Sequence, residues 1–378
     1  MWRGRMGRTI DREALFDLAS YDYPLAEDRI AQAPAEPRDS SWLLVWSVAS
    51  GETQHMRFRD IVELLRPEDL LVLNDTRVLP ARLIGTRPGG GKAEALLLRP
   101  EDADMRAWRA LVRPGRKLRT GSSFVVGDRA IEIEGEAPDG VRIVRVGREG
   151  EGREDVLAFL EASGHVPLPP YISPDGGGLS TRDLRDAYQT VFARRDGSVA
   201  APTASLHFTP RLLDEIDARG VGRAWATLHV GLGTFRPVKA QDVREHPMHH
   251  ELCEIPEATA EAVREHRARG GRIVAAGTTV ARALESMAIG DGLVRPGRID
   301  TDLFILPGHR FRVVDALITN FHLPRSSLLM LVAALASCLG GWEGEEERGV
   351  SELLSVYEEA IAEGYRFFSF GDAMFIQR

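Results

Sequence analysis

Apolar residues recur along this chain in three rhythms, and each predicts a different kind of structure. Near the start, WLLVWSV (42–48) and LLVLND (70–75) are continuous apolar runs bounded by turn residues, the pattern of strands buried on both faces. Between them Ser50-Gly51-Glu52 turns the chain into a short second strand, and Phe58–Leu65 has helical spacing that stops before Pro67. Ahead of these, Asp22–Gln32, with Pro24 before Leu25, Ile30 and Ala31, predicts a short helix after a turn.

From about residue 80 to 150 the rhythm shortens to period two. KAEALLLR (92–99), WRALVRP (108–114), SFVV (123–126), AIEIE (130–134) and VRIVRV (141–146) follow one another, separated by turn signals such as Gly127-Asp128 and Pro138-Asp139-Gly140. Short strands at this spacing, with no helix among them, indicate a small β-barrel or sandwich. Its position reads as an insertion into a larger α/β unit.

The helical period returns after Gly152 (Val156, Leu157, Phe159, Leu160) and ends at Gly164, where a proline- and glycine-rich loop begins (164–178). Thr181–Ala193 predicts a further helix. From residue 220 strands and helices alternate: strand 223–230, helix Pro256–Arg269, strand 272–276, a helix to about Met287, strands 302–305 and 311–319, helices Ser327–Leu339 and Ser351–Gly364, and closing strands 366–370 and 374–376. The predicted fold is α/β: a mixed-sheet α/β main domain, discontinuous over residues 1–78 and 152–378, carrying an inserted small β-barrel domain over 79–151.

Composition narrows the class. At 378 residues, 43% hydrophobic and 28% charged, the chain is an ordinary globular one with room for more than one core. The longest apolar run, Leu328–Leu339, falls short of the roughly 20 residues a membrane span needs. The arginine-rich start is not followed by an apolar signal core, and Cys253 and Cys338 stand far apart, so a reducing cytoplasm is expected. A formal charge of −8 argues against general attraction to polyanions and leaves local patches, such as 113–119, 142–148, Arg194–Arg195 and 264–272, as the candidates for RNA contact.

Candidate chemistry gathers where strands end, the place ligands occupy in α/β sheets. Asn74-Asp75-Thr76-Arg77 closes the second buried run. The GLGTF turn brings Gly231, Gly233 and Thr234, followed by Arg236. Gly277-Thr278-Thr279 stands between a strand and a helix N-terminus, where free N–H groups favour anions. Asn320, His322, Arg325 and Ser326 lie between another strand and helix. The most polar irregular stretch, Tyr188–Pro210, carries Ser198, Thr203, Ser205 and His207, and ends in Thr209-Pro210, an N-cap with proline in the first turn. Turns and caps alone would also use such residues. Histidines 246, 249 and 250 beside Glu251 suggest zinc, but Pro247 breaks the helix that would chelate it, and no metal is assigned.

NDTRVLPARL (74–83), GHVPLPPYI (164–172), GSVAAPTASLHFT (197–209), TLHVGLGTFRPV (227–238), IVAAGTTVARALES (273–286), ALITNFHLPRSSLLMLV (316–332) and FFSFGDAMFI (367–376) together resemble the S-adenosylmethionine:tRNA ribosyltransferase-isomerases of queuosine biosynthesis. The resemblance covers almost the whole chain and implies an α/β domain with an inserted β-barrel. It implies transfer and isomerisation of the ribosyl moiety of S-adenosylmethionine onto 7-aminomethyl-7-deazaguanine in tRNA. Epoxyqueuosine forms, and adenine and methionine leave. S-adenosylmethionine is then a co-substrate, with no resident cofactor and no membrane partner, and a monomer is expected. The chemistry needs a base beside the sulfonium, for which His207, then His322, then His229 are the candidates. Gly277–Thr279 would stabilise departing adenine, Asn74–Arg77 would bind ribose or methionine, and Arg236 and Arg325 would fork onto a carboxylate or phosphate. The chain departs from the family pattern at Ser205 (usually glycine), His250 (usually serine) and Phe370 (usually tyrosine). Those departures keep open a diverged member acting on another amine, and the barrel's basic strands keep open a non-catalytic tRNA-binding module.

Overall fold

The computed structural model describes residues 9–173, 180–231 and 238–378, without the side chains of Thr181 and Arg182. The chain begins its regular structure with β1 (Trp42–Ser47), β2 (Glu52–Arg57), the single-turn α1 (Ile61–Leu64), β3 (Leu70–Asn74) and β4 (Thr76–Val78). There follow β5 (Arg82–Thr86), β6 (Lys92–Pro100), β7 (Ala107–Arg113), β8 (Ser123–Val126), β9 (Arg129–Glu136) and β10 (Arg142–Arg145). The remainder comprises α2 (Arg153–Ser163), α3 (Thr181–Ala187), β11 (Arg195–Ser198), α4 (Pro210–Ala218), β12 (Gly222–Leu228), β13 (Glu251–Ile255), α5 (Glu257–Ala268), β14 (Ile273–Ala276), α6 (Thr278–Ser286), β15 (Gly297–Thr301), β16 (Ala316–Asn320), α7 (Ser327–Gly340), α8 (Glu346–Ala362) and β17 (Ala373–Gln377).

Nine strands form one mixed sheet in the order β15-β13-β12-β3-β14-β16-β17-β1-β2. Its centre, β12-β3-β14-β16, is parallel. Every residue of β3, β14 and β16 is buried, which is why their sequences are apolar throughout rather than alternating. Because the strands run together, their carboxyl ends, and the polar residues that follow them, emerge at one edge of the sheet. The six strands from β5 to β10 close into an antiparallel barrel in the order β10-β7-β6-β5-β8-β9. Its period-two sequences bury one face, with Leu83, Ala95, Leu97, Trp108, Phe124, Ile131 and Val144 in a core separate from that of the large sheet. The expected α/β fold with an added barrel is therefore present. A two-stranded parallel ladder, β4 with β11, runs from the end of β3 to the Ser198–Ala201 segment.

Several sequence expectations fail for tertiary reasons. Asp22–Gln32 holds only a 3₁₀ turn at Glu27–Arg29. Its flanks stay extended because Tyr23 is buried with its hydroxyl donating to the His322 carbonyl, and Ala31 N–H donates to Phe367 O at 3.2 Å. The strand expected at 311–319 begins only at Ala316, since the buried carboxylate of Glu285 takes the N–H groups of Arg312, Val313 and Val314 at 2.9–3.0 Å. Residues 302–305 are no strand: Leu303 N–H donates to Thr301 Oγ1 at 3.2 Å, turning the chain, and the edge strand is β15. Residues 366–370 form a turn with Phe368 at φ +72°. Helix α3 stops at Ala187, and the backbone N–H groups of Arg194 and Arg195 both donate to Asp75 O.

Asp69 ties the amino ends of three central strands together. Its carboxylate accepts from Arg272 Nη2 at 2.6 Å and from Arg66 N at 2.9 Å, while its carbonyl accepts from Gly222 N at 3.0 Å. Burial pushes the carboxyl pKa up, but the hydrogen bonds and charge of Arg272 outweigh it and hold the group below the usual carboxylate range. Removing one partner of a buried pair strands the other charge. Asp69→Ala should therefore cost about 3–5 kcal/mol in urea unfolding. Glu261→Ala, which breaks the exposed pair with Arg264, should cost less than about 1 kcal/mol. Equal shifts in midpoint would contradict this assignment.

Candidate functional site

The carboxyl ends of β14 and β16 open onto a cavity of about 70 Å³. From β14 comes Gly277, which adopts φ +105° and donates its N–H to Ile318 O at 2.7 Å, turning the chain into α6. Thr278 and Thr279 then line the cavity at the N-terminus of α6, where the first N–H groups have no acceptor within the helix. From β16 come Thr319, Asn320, Phe321 and His322, and Ser326 caps α7 by accepting from Leu329 N at 3.3 Å. Residues Ala200–Ala204, including Thr203, form the facing wall with Val230, Tyr171, Phe368 and Ser369.

His322 is 8% exposed. Its Nε2 lies 2.8 Å from Thr319 Oγ1, a hydroxyl also 3.3 Å from Asn320 O. Its backbone is clamped, with N–H donating to Tyr357 Oη at 3.0 Å and the carbonyl accepting from Tyr23. Burial pushes the imidazole pKa down to about 3, so the ring is neutral at physiological pH.

His207 sits one residue behind the wall rather than in it. Ser41 Oγ lies 2.8 Å from Nδ1, Asn320 Nδ2 lies 3.1 Å from Nε2, and Phe58 stacks on the ring with centroids 4.8 Å apart. Burial, then the nearby charges of Arg366 and Arg38, lower its pKa to about 3. The first-ranked candidate base is thus enclosed, with both nitrogens engaged.

His229 faces a different recess, a cleft of about 590 Å³ between the barrel segment Leu98–Met105 and the β11–β13 side of the sheet. Its Nδ1 lies 2.8 Å from Thr76 Oγ1, and burial, followed by Arg298, lowers its pKa to about 4. The cleft is lined by Arg99, Arg153, Arg194, Arg195 and Arg298, with acidic neighbours for most of them: Arg194 pairs with Asp75 at 2.7 Å and Arg99 with Asp300 at 3.0 Å. Gly231 also lines it and donates its N–H to Glu251 at 2.9 Å. The residues expected around one site therefore divide between two recesses, separated by the segment leaving β12.

Other candidates do structural work. Asn74 is fully buried and bonds Leu228 and Thr279; Asp75 is buried against Thr227 and Arg194; Thr76 bonds His229. Arg77 is spanned by Glu161 and Asp196 at 2.9 and 3.2 Å and lines neither recess. Ser198 Oγ accepts from Val230 N at 2.9 Å. Ser205 is buried, with Oγ 3.4 Å from Ala276 O, and so does not narrow the cavity. Arg325 pairs with Asp22, away from both recesses. Gly233, Thr234 and Arg236 lie outside the described residues. Of the departures from the family pattern, only His250 borders a recess, the larger cleft; Phe370 packs edge-on to Tyr188 in a buried cluster. Sequence reading missed Tyr171, whose hydroxyl lies 2.7 Å from Ser369 Oγ, and Phe368, both inside motifs quoted above but taken for loop and strand.

A model of the family described as queuosine biosynthesis protein matches residues 18–376. A protein of Gloeobacter violaceus called S-adenosylmethionine:tRNA ribosyltransferase-isomerase is 52% identical over 371 residues, 97% of each chain. One of the same name from Symbiobacterium thermophilum is 49% identical over 95% of this chain and 99% of its own. The crystal structure of an S-adenosylmethionine tRNA ribosyltransferase from Thermotoga maritima is similar at 36% identity and a TM-score of 0.51, over 94% of this chain and 99% of that one.

The lowered pKa values of His207, His322 and His229 make stability depend on pH in a definite direction. Their folded pKa values, about 3, 3 and 4, lie below the ordinary 6.5. Above pH 6.5 neither folded nor unfolded chain binds the proton; below it only the unfolded chain does, so stability falls as pH drops from 6.5 towards 4. Each histidine contributes about 1.4 kcal/mol per pH unit in that window. Urea midpoints should be flat from pH 8 to 7 and drop steeply from 6.5 to 5, with His322→Gln removing about a third of the slope. A flat profile would contradict their being held as neutral rings.

Proposed function

The chain belongs to the queuosine biosynthesis protein family, and on that footing we propose that it is an S-adenosylmethionine:tRNA ribosyltransferase-isomerase. It moves the ribosyl moiety of S-adenosylmethionine to the aminomethyl group of 7-aminomethyl-7-deazaguanine in tRNA and rearranges it to the epoxide of epoxyqueuosine, releasing adenine and methionine. The observation that carries this reading is the meeting of two strand exits, Gly277–Thr279 and Asn320–His322, in one cavity within a chain matched over nearly its full length.

We assign the base to His322. With Thr319 Oγ–H directed to the Asn320 carbonyl, Nε2 of the ring carries the proton and donates to Thr319, leaving Nδ1 with its lone pair. A neutral ring is the form that can take a proton from the carbon beside the sulfonium. Negative charge on departing adenine would be met by the first N–H groups of α6. The cavity, at about 70 Å³, is well under the roughly 300 Å³ of small-ligand sites, so binding a whole nucleoside must displace part of its wall. The larger cleft, bordered by His229 and five arginines, has ligand-sized room for the RNA side of the reaction. S-adenosylmethionine is consumed as co-substrate, and the reading includes no resident cofactor. No helix among the described residues is long and apolar enough to cross a membrane. We read the protein as a cytoplasmic monomer.

Labelled S-adenosylmethionine incubated with tRNA bearing the deazaguanine should yield free adenine. His322→Gln should slow that release by about 10²–10⁴. No adenine from the unaltered protein, beside an active control enzyme, would reject the reading. A loss of less than about threefold in His322→Gln would move the base elsewhere.

A further inference from the structure

Asn320 is 2% exposed and lines the cavity, yet its carbonyl oxygen Oδ1 has no hydrogen-bond partner among the described residues. A buried acceptor left without a donor costs about 1–3 kcal/mol, so such an atom in a native fold calls for an explanation. The other half of the same amide is fully used. Nδ2 lies 3.1 Å from His207 Nε2 and 3.4 Å from the Asp372 carbonyl, so its two hydrogens have two acceptors. For Nε2 to accept, the proton of His207 must sit on Nδ1, where Ser41 Oγ is 2.8 Å away to receive it. The Asp372 carbonyl can only accept, so it keeps Nδ2 on the side of His207, and Ser41, His207 and Asn320 then form a relay of donors that runs in one direction. Turned the other way, the amide would set its oxygen against the Asp372 carbonyl oxygen.

We propose that Asn320 Oδ1 accepts a hydrogen bond from S-adenosylmethionine, and that His207 is the positioning residue that keeps this oxygen available. The proposal rests on the reading that the cavity holds the co-substrate. The ligand group is an N–H or O–H donor: a ribose hydroxyl or the exocyclic amine on the nucleoside half, or the ammonium on the methionine half. His207 takes no proton from substrate in this account; its function is to fix the partner's amide.

Calorimetric titration of S-adenosylmethionine into the full chain, without tRNA, tests it. Asn320→Ala should raise Kd about tenfold, the loss of one buried hydrogen bond; a change under about twofold overturns the proposal. His207→Leu should weaken binding similarly, and the double variant no further, because both act on one contact. His207→Gln can accept from Asn320 Nδ2 through its own carbonyl oxygen, and should recover Kd and kcat to within about threefold of the unaltered protein. If His207→Gln instead loses kcat about a hundredfold with Kd unchanged, His207 is the base and the proposal fails. Should His207→Leu not fold, Ser41→Ala removes only the acceptor of Nδ1–H. It should raise Kd about threefold, and no rise counts against the relay. Titrating adenosine and methionine separately into Asn320→Ala identifies the donor half by which affinity falls; if neither falls, the proposal is overturned. Binding without adenine release in the unaltered protein would reject the proposed reaction while leaving this contact standing.

Discussion

A parallel sheet brings strand ends to one edge, but it does not hold the polar segments beyond them in place; here the carboxamide of Asn74 does. Its Oδ1 accepts from Leu228 N at 3.2 Å and Thr76 N at 3.1 Å, and its Nδ2 donates to Leu228 O at 3.0 Å and Thr279 Oγ1 at 3.3 Å. One side chain therefore joins the ends of β3 and β12, the start of β4 and the first turn of α6. All of these groups are buried in or near the core, where a lost partner is not replaced by water. The cavity wall at Gly277–Thr279, the exit of β12 and the ladder leading to Ser198 keep their relative positions through this amide.

Much of this arrangement can be read in the sequence, and the parts that cannot share a cause. Strands β3 and β14 announce themselves because full burial demands unbroken apolar runs, and the barrel does so because a closed sheet buries only alternate residues. Thr209-Pro210 is a local cap, and its Oγ1 accepts from Leu212 N as the pair implies. The misreadings arise where a distant side chain replaces a backbone partner. Val313 and Val314 look like strand, but Glu285 satisfies their N–H groups from another element. Leu25–Ala31 has helical spacing, but the Arg29 carbonyl and the Ala31 N–H are spent on Phe367.

The same logic sorts the candidate site. Of the polar residues just after strands, Gly277–Thr279, Asn320, His322 and Ser326 line a cavity. Asn74, Ser198 and Arg77 have the same sequence signature, but their hydrogen-bonding capacity is taken up by the fold. Residue type and position do not reveal which partners a neighbouring loop supplies. Among the histidines, two lie in the walls of different recesses and one lies between a serine and an asparagine. Spacing along the chain could not separate these three situations, because each depends on a residue more than a hundred positions away or on burial by other elements. The departure at Ser205 is absorbed by packing against Ala276, whereas the one at His250 changes the surface of the larger cleft.

The extended stretch leaving β12 works as a partition. Val230 borders the small cavity, while His229 and Gly231 border the cleft, as the two-residue alternation of an extended chain requires. A slip of one residue in the pairing of β12 with β3 would exchange the contents of the two compartments, putting imidazole where the aliphatic wall stands and valine opposite the arginines. The chemical difference between the compartments is thus held by strand register, and the contacts that fix that register at both ends of β12, Gly222 to Asp69 and Leu228 to Asn74, decide which face each side chain meets.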